Sequence, residues 1–167
     1  MTGHPGAPSG GHTARLDDGR AVSYATYGDP DGRPLLVLHG TPGSHVLGEL
    51  FDEVARRHGV RVLAPDRPGF GDSAAWSNRS LADTGSFVAA VLDDAGASNA
   101  GVVGFSGGGP HALALAATQS ELLDGVDVVA GATPPTLGPE PPFVQRLLRG
   151  AARRTPTLLG GVSWLQA

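Results

Sequence analysis

The chain has 167 residues, of which 40% are hydrophobic, and it carries a formal net charge of −4. This length suits one domain with a buried core, and the net negative charge without a basic stripe argues against nucleic acid as a partner. Because lysine and cysteine are both absent, Walker-type phosphate loops, Schiff-base chemistry, thiol nucleophiles and zinc–thiolate sites are excluded.

Residues 1–11 are rich in Gly, Pro and Ser and are predicted to form a flexible tail. No apolar run is long enough to span a bilayer, and no charged-then-apolar signal peptide opens the chain. We therefore expect a cytoplasmic protein that has no membrane partner.

Residues 12–135 contain short apolar segments that alternate with helical patterns. The first two segments flank the turn Asp17-Asp18-Gly19 and predict a hairpin. The later ones are continuous apolar runs, as expected for strands buried on both faces of a sheet. The predicted strands are 14–16, 20–27, 35–38, 60–63, 101–105 and 126–130.

Three helical patterns separate these strands. Leucines and other apolar residues between 47 and 54 recur at helical spacing. Ser80, with Asp83 three residues later, predicts a capped helix start. Residues 110–118 are apolar almost all round, so that helix is expected to be deeply packed. Strands and helices in alternation predict an α/β fold, with a mostly parallel sheet and helices on both faces.

The segment Gly104-Phe105-Ser106-Gly107-Gly108 fits the pattern G-x-S-x-G. It follows a predicted strand and opens a predicted helix, which is the setting of a nucleophile elbow. Such a turn puts Ser106 in a strained backbone conformation and directs the free N–H groups of the helix start above it. We predict that Ser106 is a nucleophile and that the Gly107 N–H stabilises an oxyanion; the alternative is a plain turn whose serine caps the helix.

A second donor is expected from the loop that follows the strand at 35–38, which reads His39-Gly40-Thr41-Pro42-Gly43. An acyl-transfer site needs a second N–H group beside the nucleophile. The N–H of Thr41 is the best candidate, because Pro42 has none.

Other polar residues are interpreted as structural. His39 is expected to fix its loop through hydrogen bonds, and Asp66 and Asp72 to hold the loop 66–73 in the same way. Asp93 and Asp94 are expected to lie at a solvated helix end. His111 is poorly placed to take a proton from a serine five residues earlier. No metal-ligand spacing is present, and no metal or other cofactor is expected.

The stretches "LHGTPGS", "DRPGFGDS" and "GFSGGGPHALALA" together resemble the α/β-hydrolase fold family, over residues 14–135. The resemblance implies a serine hydrolase whose small-molecule substrate is attacked by Ser106, with Thr41 and Gly107 as the oxyanion hole. Family members that use aspartate at the nucleophile position, the dehalogenases and epoxide hydrolases, are disfavoured by the serine. Residues 136–167, with four arginines between 146 and 154, resemble the start of the family's helical cap.

The chain departs from the family after its sixth predicted strand. The family implies an acid after a later strand and then a histidine, but Gly131-Ala132-Thr133 holds no carboxylate and the last histidine is His111. The acid and base of the triad are therefore not identified in this chain, and the fold is expected to be truncated before its last two strands. Three hypotheses stay open: a hydrolase without its C-terminal part, a non-catalytic binding module, and an enzyme completed by a partner chain.

Overall fold

The computed structural model describes residues 11–131. Its six strands are β1 (Gly11–Arg15), β2 (Ala21–Gly28), β3 (Arg33–Leu38), β4 (Val60–Pro65), β5 (Ala100–Phe105) and β6 (Leu123–Val129). Its α-helices are α1 (Asp52–Arg57), α2 (Thr84–Asp94) and α3 (Gly109–Thr118). None of the helices in this range combines the length and the apolar character that crossing a membrane requires.

The strands form one sheet in the order β1-β2-β4-β3-β5-β6. The hairpin strands β1 and β2 pair antiparallel with each other, and β2 pairs antiparallel with β4. The other four strands are mutually parallel. The predicted α/β class and the mostly parallel sheet are confirmed. We call the two edges at which these parallel strands begin and end the amino edge and the carboxyl edge.

Helices cover both faces of the sheet. Neighbouring residues of a strand point to opposite faces, so one strand can pack against the helices on both sides. Leu36 and Leu38 pack into a cluster with α2 and α3, whereas Val37 between them packs into a second cluster with Ala55 of α1. Burial on both faces explains why β3 and β4 are continuous apolar runs in the sequence.

Two predictions of burial are wrong. The last strand was expected to be buried, but most residues of β6 are exposed, since among the described strands it pairs only with β5 at the edge of the sheet. Helix α3 was expected to be packed all round, but Leu113 is 57% exposed. Its buried side chains lie on one face, which includes Ala112 and Leu115.

The helix starts are partly 3₁₀ in character. His45–Phe51 forms a 3₁₀ segment before α1, and Leu81–Asp83 forms another before α2. The predicted capping box at Ser80 is confirmed, with the Ser80 N–H donating to the Asp83 carboxylate at 2.6 Å. The cap-like segment 136–167, residues 132–135 of the predicted core and nearly all of the predicted tail lie outside the described residues.

Candidate functional site

Ser106 lies directly after β5, at the carboxyl edge, and begins the 3₁₀ turn Ser106–Gly108 that leads into α3. Its φ is +49°, a left-handed conformation that side-chain-bearing residues rarely adopt. Such a residue costs about 1–3 kcal/mol and persists only where its surroundings hold it. The strained turn predicted from the sequence is therefore present.

Close packing of the turn against β3 holds it in place. A methyl group added at Gly108 would collide with the carbonyl oxygen of Leu38 and would lie 2.9 Å from that of His39. These are backbone atoms of a buried strand and cannot move aside. Glycine at this position lets the start of α3 approach the end of β3.

The loop after β3 lies beside the serine. A methyl group added at Gly40 would lie 3.2 Å from the Ser106 Cβ atom. One added at Gly107 would lie 2.8 Å from the hydroxyl oxygen of Thr41 and 3.3 Å from its backbone nitrogen. The structure thus brings together Ser106, Thr41 and Gly107, the three residues that the sequence analysis singled out.

His39 is buried and supports this loop. Its Nε2 accepts a hydrogen bond from the backbone N–H of Arg67 at 3.0 Å, so Nδ1 carries the proton and donates to the Gly40 carbonyl at 2.7 Å. Burial lowers the pKa of His39, which favours this neutral form. Its predicted role in fixing the loop is confirmed.

Asp66 is fully buried and holds the neighbouring loop. Its carboxylate accepts hydrogen bonds from the backbone N–H groups of His45, at 2.7 Å, and Asp72, at 3.3 Å. The Nδ1 atom of His45 lies 3.0 Å from the same carboxylate. The structural role predicted for Asp66 is confirmed, and its oxygens are occupied by these contacts.

Sequence reasoning missed Arg67. Its side chain is buried, and Nη2 donates to the Gly40 carbonyl and to the Thr41 hydroxyl, both at 2.8 Å. Its Nε has no hydrogen-bond partner among the described residues. Burial, and to a smaller extent repulsion from Arg79, lowers the pKa of Arg67 to about 10, so it is charged at neutral pH. The signal in the sequence was its position two residues after a strand, next to Asp66.

A family model described as the alpha/beta hydrolase fold matches residues 33–164. The chain belongs to the α/β-hydrolase fold family. Ser106, the loop around Thr41 and the Asp66 loop all lie within the matched range, so the family assignment covers each part of this candidate site.

Similar proteins in the α/β-hydrolase family differ in their named activities. An uncharacterized hydrolase, YcgS, of Bacillus subtilis (strain 168) is 29% identical over 124 residues, covering 74% of this chain and 42% of that protein. A proline iminopeptidase of Xylella fastidiosa (strain Temecula1) is 32% identical, covering 64% and 34%. An esterase from Exiguobacterium antarcticum has the same fold at a TM-score of 0.69 and 21% identity, covering 92% and 60%. The matched part of this α/β-hydrolase chain thus spans less than half of the length of the two sequence relatives.

His111 does not act on the serine in this structure. It is 4% exposed, and its Nδ1 lies 2.7 Å from the Thr84 hydroxyl on the neighbouring helix α2. Burial, with smaller contributions from Arg67 and Arg79, lowers its pKa to about 4, so His111 is neutral at pH 7.

The Ser106 hydroxyl has no hydrogen-bonded acid or base within residues 11–131. His39, His45 and His111 are engaged as described above, and Asp94, which is exposed at the end of α2 as expected, accepts a hydrogen bond from the Tyr24 hydroxyl at 2.8 Å. Nor do three metal-ligating side chains converge anywhere in that range.

Proposed function

We propose that this α/β-hydrolase chain carries the nucleophile and oxyanion hole of a serine hydrolase that acts on a small carboxylic ester. Ser106 would attack the acyl carbon, and the N–H groups of Thr41 and Gly107 would stabilise the oxyanion. The observation that carries the proposal is the positive φ of Ser106 at a strand-to-helix turn beside the Gly40–Thr41 backbone. Strain of this kind is concentrated at catalytic residues.

The chemistry follows from these groups. The Ser106 oxygen forms a bond to the carbonyl carbon while the C=O electron pair moves onto the oxygen, which two N–H donors stabilise. Collapse of this intermediate expels the alcohol or phenolate and leaves an acyl-serine. A serine suits this route, and the esterase-like substrate is proposed on the likeness of the fold to an esterase.

The general base and its acid are proposed to come from outside residues 11–131. The sequence has no histidine after His111, which is buried and bonded to Thr84. A serine hydroxyl without a base is a poor nucleophile at neutral pH. A further segment of protein, on a longer chain or on a partner, would therefore complete the site. The isolated chain would retain the smaller rate enhancement that the oxyanion hole and substrate binding supply.

A fluorophosphonate probe tests this proposal, since Ser106 would bond to phosphorus and release fluoride. We expect slow labelling of the isolated chain, fast labelling once a segment carrying the acid and histidine is present, and none of Ser106→Ala. Labelling only with a partner would identify a split enzyme. Absence of labelling in every arm would contradict the hydrolase proposal and favour a binding module.

A further inference from the structure

The Gly40 carbonyl is held by two donors from the protein interior. His39 Nδ1 donates to it at 2.7 Å, and Arg67 Nη2 donates to it at 2.8 Å. The peptide unit that joins Gly40 to Thr41 is trans, so the carbonyl and the Thr41 N–H point in opposite directions. Anchoring the carbonyl therefore determines the direction of the N–H.

The same contacts change the strength of the N–H as a donor. Hydrogen bonds in a chain polarise one another, and a charged donor on the carbonyl strengthens the N–H at the other end of the peptide. Arg67 supplies that charge. It also donates to the Thr41 hydroxyl at 2.8 Å, which fixes the residue on the far side of the peptide.

Within the part of the chain that the structure describes, Arg67 belongs to no ion pair. No carboxylate among the described residues pairs with it, because the adjacent Asp66 is engaged by His45 and Asp72. Its guanidinium lies 4.7 Å from the centroid of the Phe70 ring, and its buried Nε has no hydrogen-bond partner within residues 11–131. Burying a cation in this way is costly, so a gain elsewhere is required to explain it.

We infer that Arg67 is a positioning residue of the oxyanion hole, acting through the Gly40–Thr41 peptide to aim and polarise the Thr41 N–H towards the reacting acyl oxygen. This rests on the proposed function. In acylation, Ser106 bonds to the acyl carbon, the carbonyl oxygen takes up the negative charge that Thr41 N–H stabilises, and the serine proton passes to solvent or to the supplied base.

The test measures acylation by p-nitrophenyl acetate, separating the acylation rate constant from the ester dissociation constant, in wild type and three variants. Arg67→Met is expected to lower the rate constant about 100-fold, the size of effect that a misplaced catalytic group produces, with little change in the dissociation constant. Arg67→Lys keeps a charged donor and is expected to recover most of the lost rate. Arg61→Met, which removes another arginine with a buried Nε, is the matched control and should acylate like wild type.

A second readout does not depend on activity. The NMR signal of the Thr41 amide proton should move upfield in Arg67→Met, because its peptide loses a polarising partner, and should return in Arg67→Lys. Equal acylation by wild type and Arg67→Met, or an unmoved amide signal in a folded Arg67→Met, overturns the inference alone. Failure of wild type to acylate, both alone and with a segment that supplies the acid and histidine, contradicts the proposed function, and the positioning role of Arg67 falls with it. If Arg67→Met does not fold, Arg67→Gln decides, because glutamine can still donate a hydrogen bond but carries no charge: an unchanged rate and amide signal in Arg67→Gln overturns the inference.

Discussion

One arginine lies at the start of β4 and another just past its end, and they serve different purposes at the two edges of the sheet. Arg61, near the amino edge, donates from Nη2 to the Ala95 carbonyl at 2.9 Å, at the C-terminus of α2, where the helix dipole favours a cation. Arg67, past the carboxyl edge, donates to the Gly40–Thr41 backbone beside Ser106. An arginine thus stabilises a helix end at the amino edge, and another arginine supports the candidate site at the carboxyl edge.

The difference extends to the surroundings of each arginine. Around Arg61 the contacts serve stability, as where the Tyr24 hydroxyl donates to Asp94 at the end of α2. At the carboxyl edge the chain holds a serine at positive φ, a buried arginine that no carboxylate of the described part of the chain pairs with, and a neutral buried histidine. Features that cost stability are expected where a site must be held ready for chemistry.

Alanine substitutions of glycine should give the largest difference in unfolding free energy between the two edges. Gly108→Ala places a methyl group against the backbone of β3 and should lower the free energy of unfolding by about 3 kcal/mol. Gly125→Ala, in β6, meets no atom within 4 Å and should be neutral or stabilising by about 0.5 kcal/mol. Urea unfolding of both variants measures the difference, and equal destabilisation would contradict the account.

Acid should destabilise the protein through His111. Because its pKa is lowered in the folded state, the unfolded chain binds the proton first as pH falls from 6.5 to about 4. The contribution of neutral His111 to the free energy of unfolding is fully present above pH 6.5 and should decrease by about 3 kcal/mol across that window. His39, whose pKa is also lowered, adds to the same slope.

The matched variant is His111→Asn, which keeps an acceptor for Thr84 and cannot titrate. It should flatten the dependence of the unfolding free energy on pH between 6.5 and 4. An unchanged slope in His111→Asn would show that the lowered pKa belongs to other groups.

Tyr24→Phe, which changes a contact at the end of α2, should affect stability alone. It removes a hydrogen bond to the Asp94 carboxylate and should cost about 1.5 kcal/mol, typical of a bond to a charged group. The cost should shrink in an Asp94→Asn background, as measured by a double-mutant cycle. A loss of Ser106 labelling in Tyr24→Phe would show that this contact also affects the candidate site.

The smallest expected effect is a gain at the carboxyl edge. Ser106→Gly relieves the positive φ and should raise the free energy of unfolding by about 1 kcal/mol while abolishing labelling. Ser106→Ala keeps the strain and should give no such gain. Thermal unfolding compares the two, and equal stability would show that the serine backbone is unstrained.

Much of the fold could be predicted because β3, β4 and β5 are apolar runs, and their composition predicts that they are buried. The turn at Ser106 could be predicted because its glycines are needed for close packing. The exposure of β6 could not, since an edge strand and a central strand can carry the same apolar residues. Arg67 was missed because its role depends on where Gly40 lies, and no local pattern in the sequence reports that distance.

The most direct test of the central claim is to incubate the chain with p-nitrophenyl acetate and map the acetyl group by peptide mass spectrometry. Because the described residues offer Ser106 no base to activate water, we expect slow deacylation and an acetyl group that accumulates on Ser106 with release of p-nitrophenolate. Acetylation elsewhere with an unmodified Ser106, or identical modification of Ser106→Ala, would contradict the assignment of Ser106 as the nucleophile.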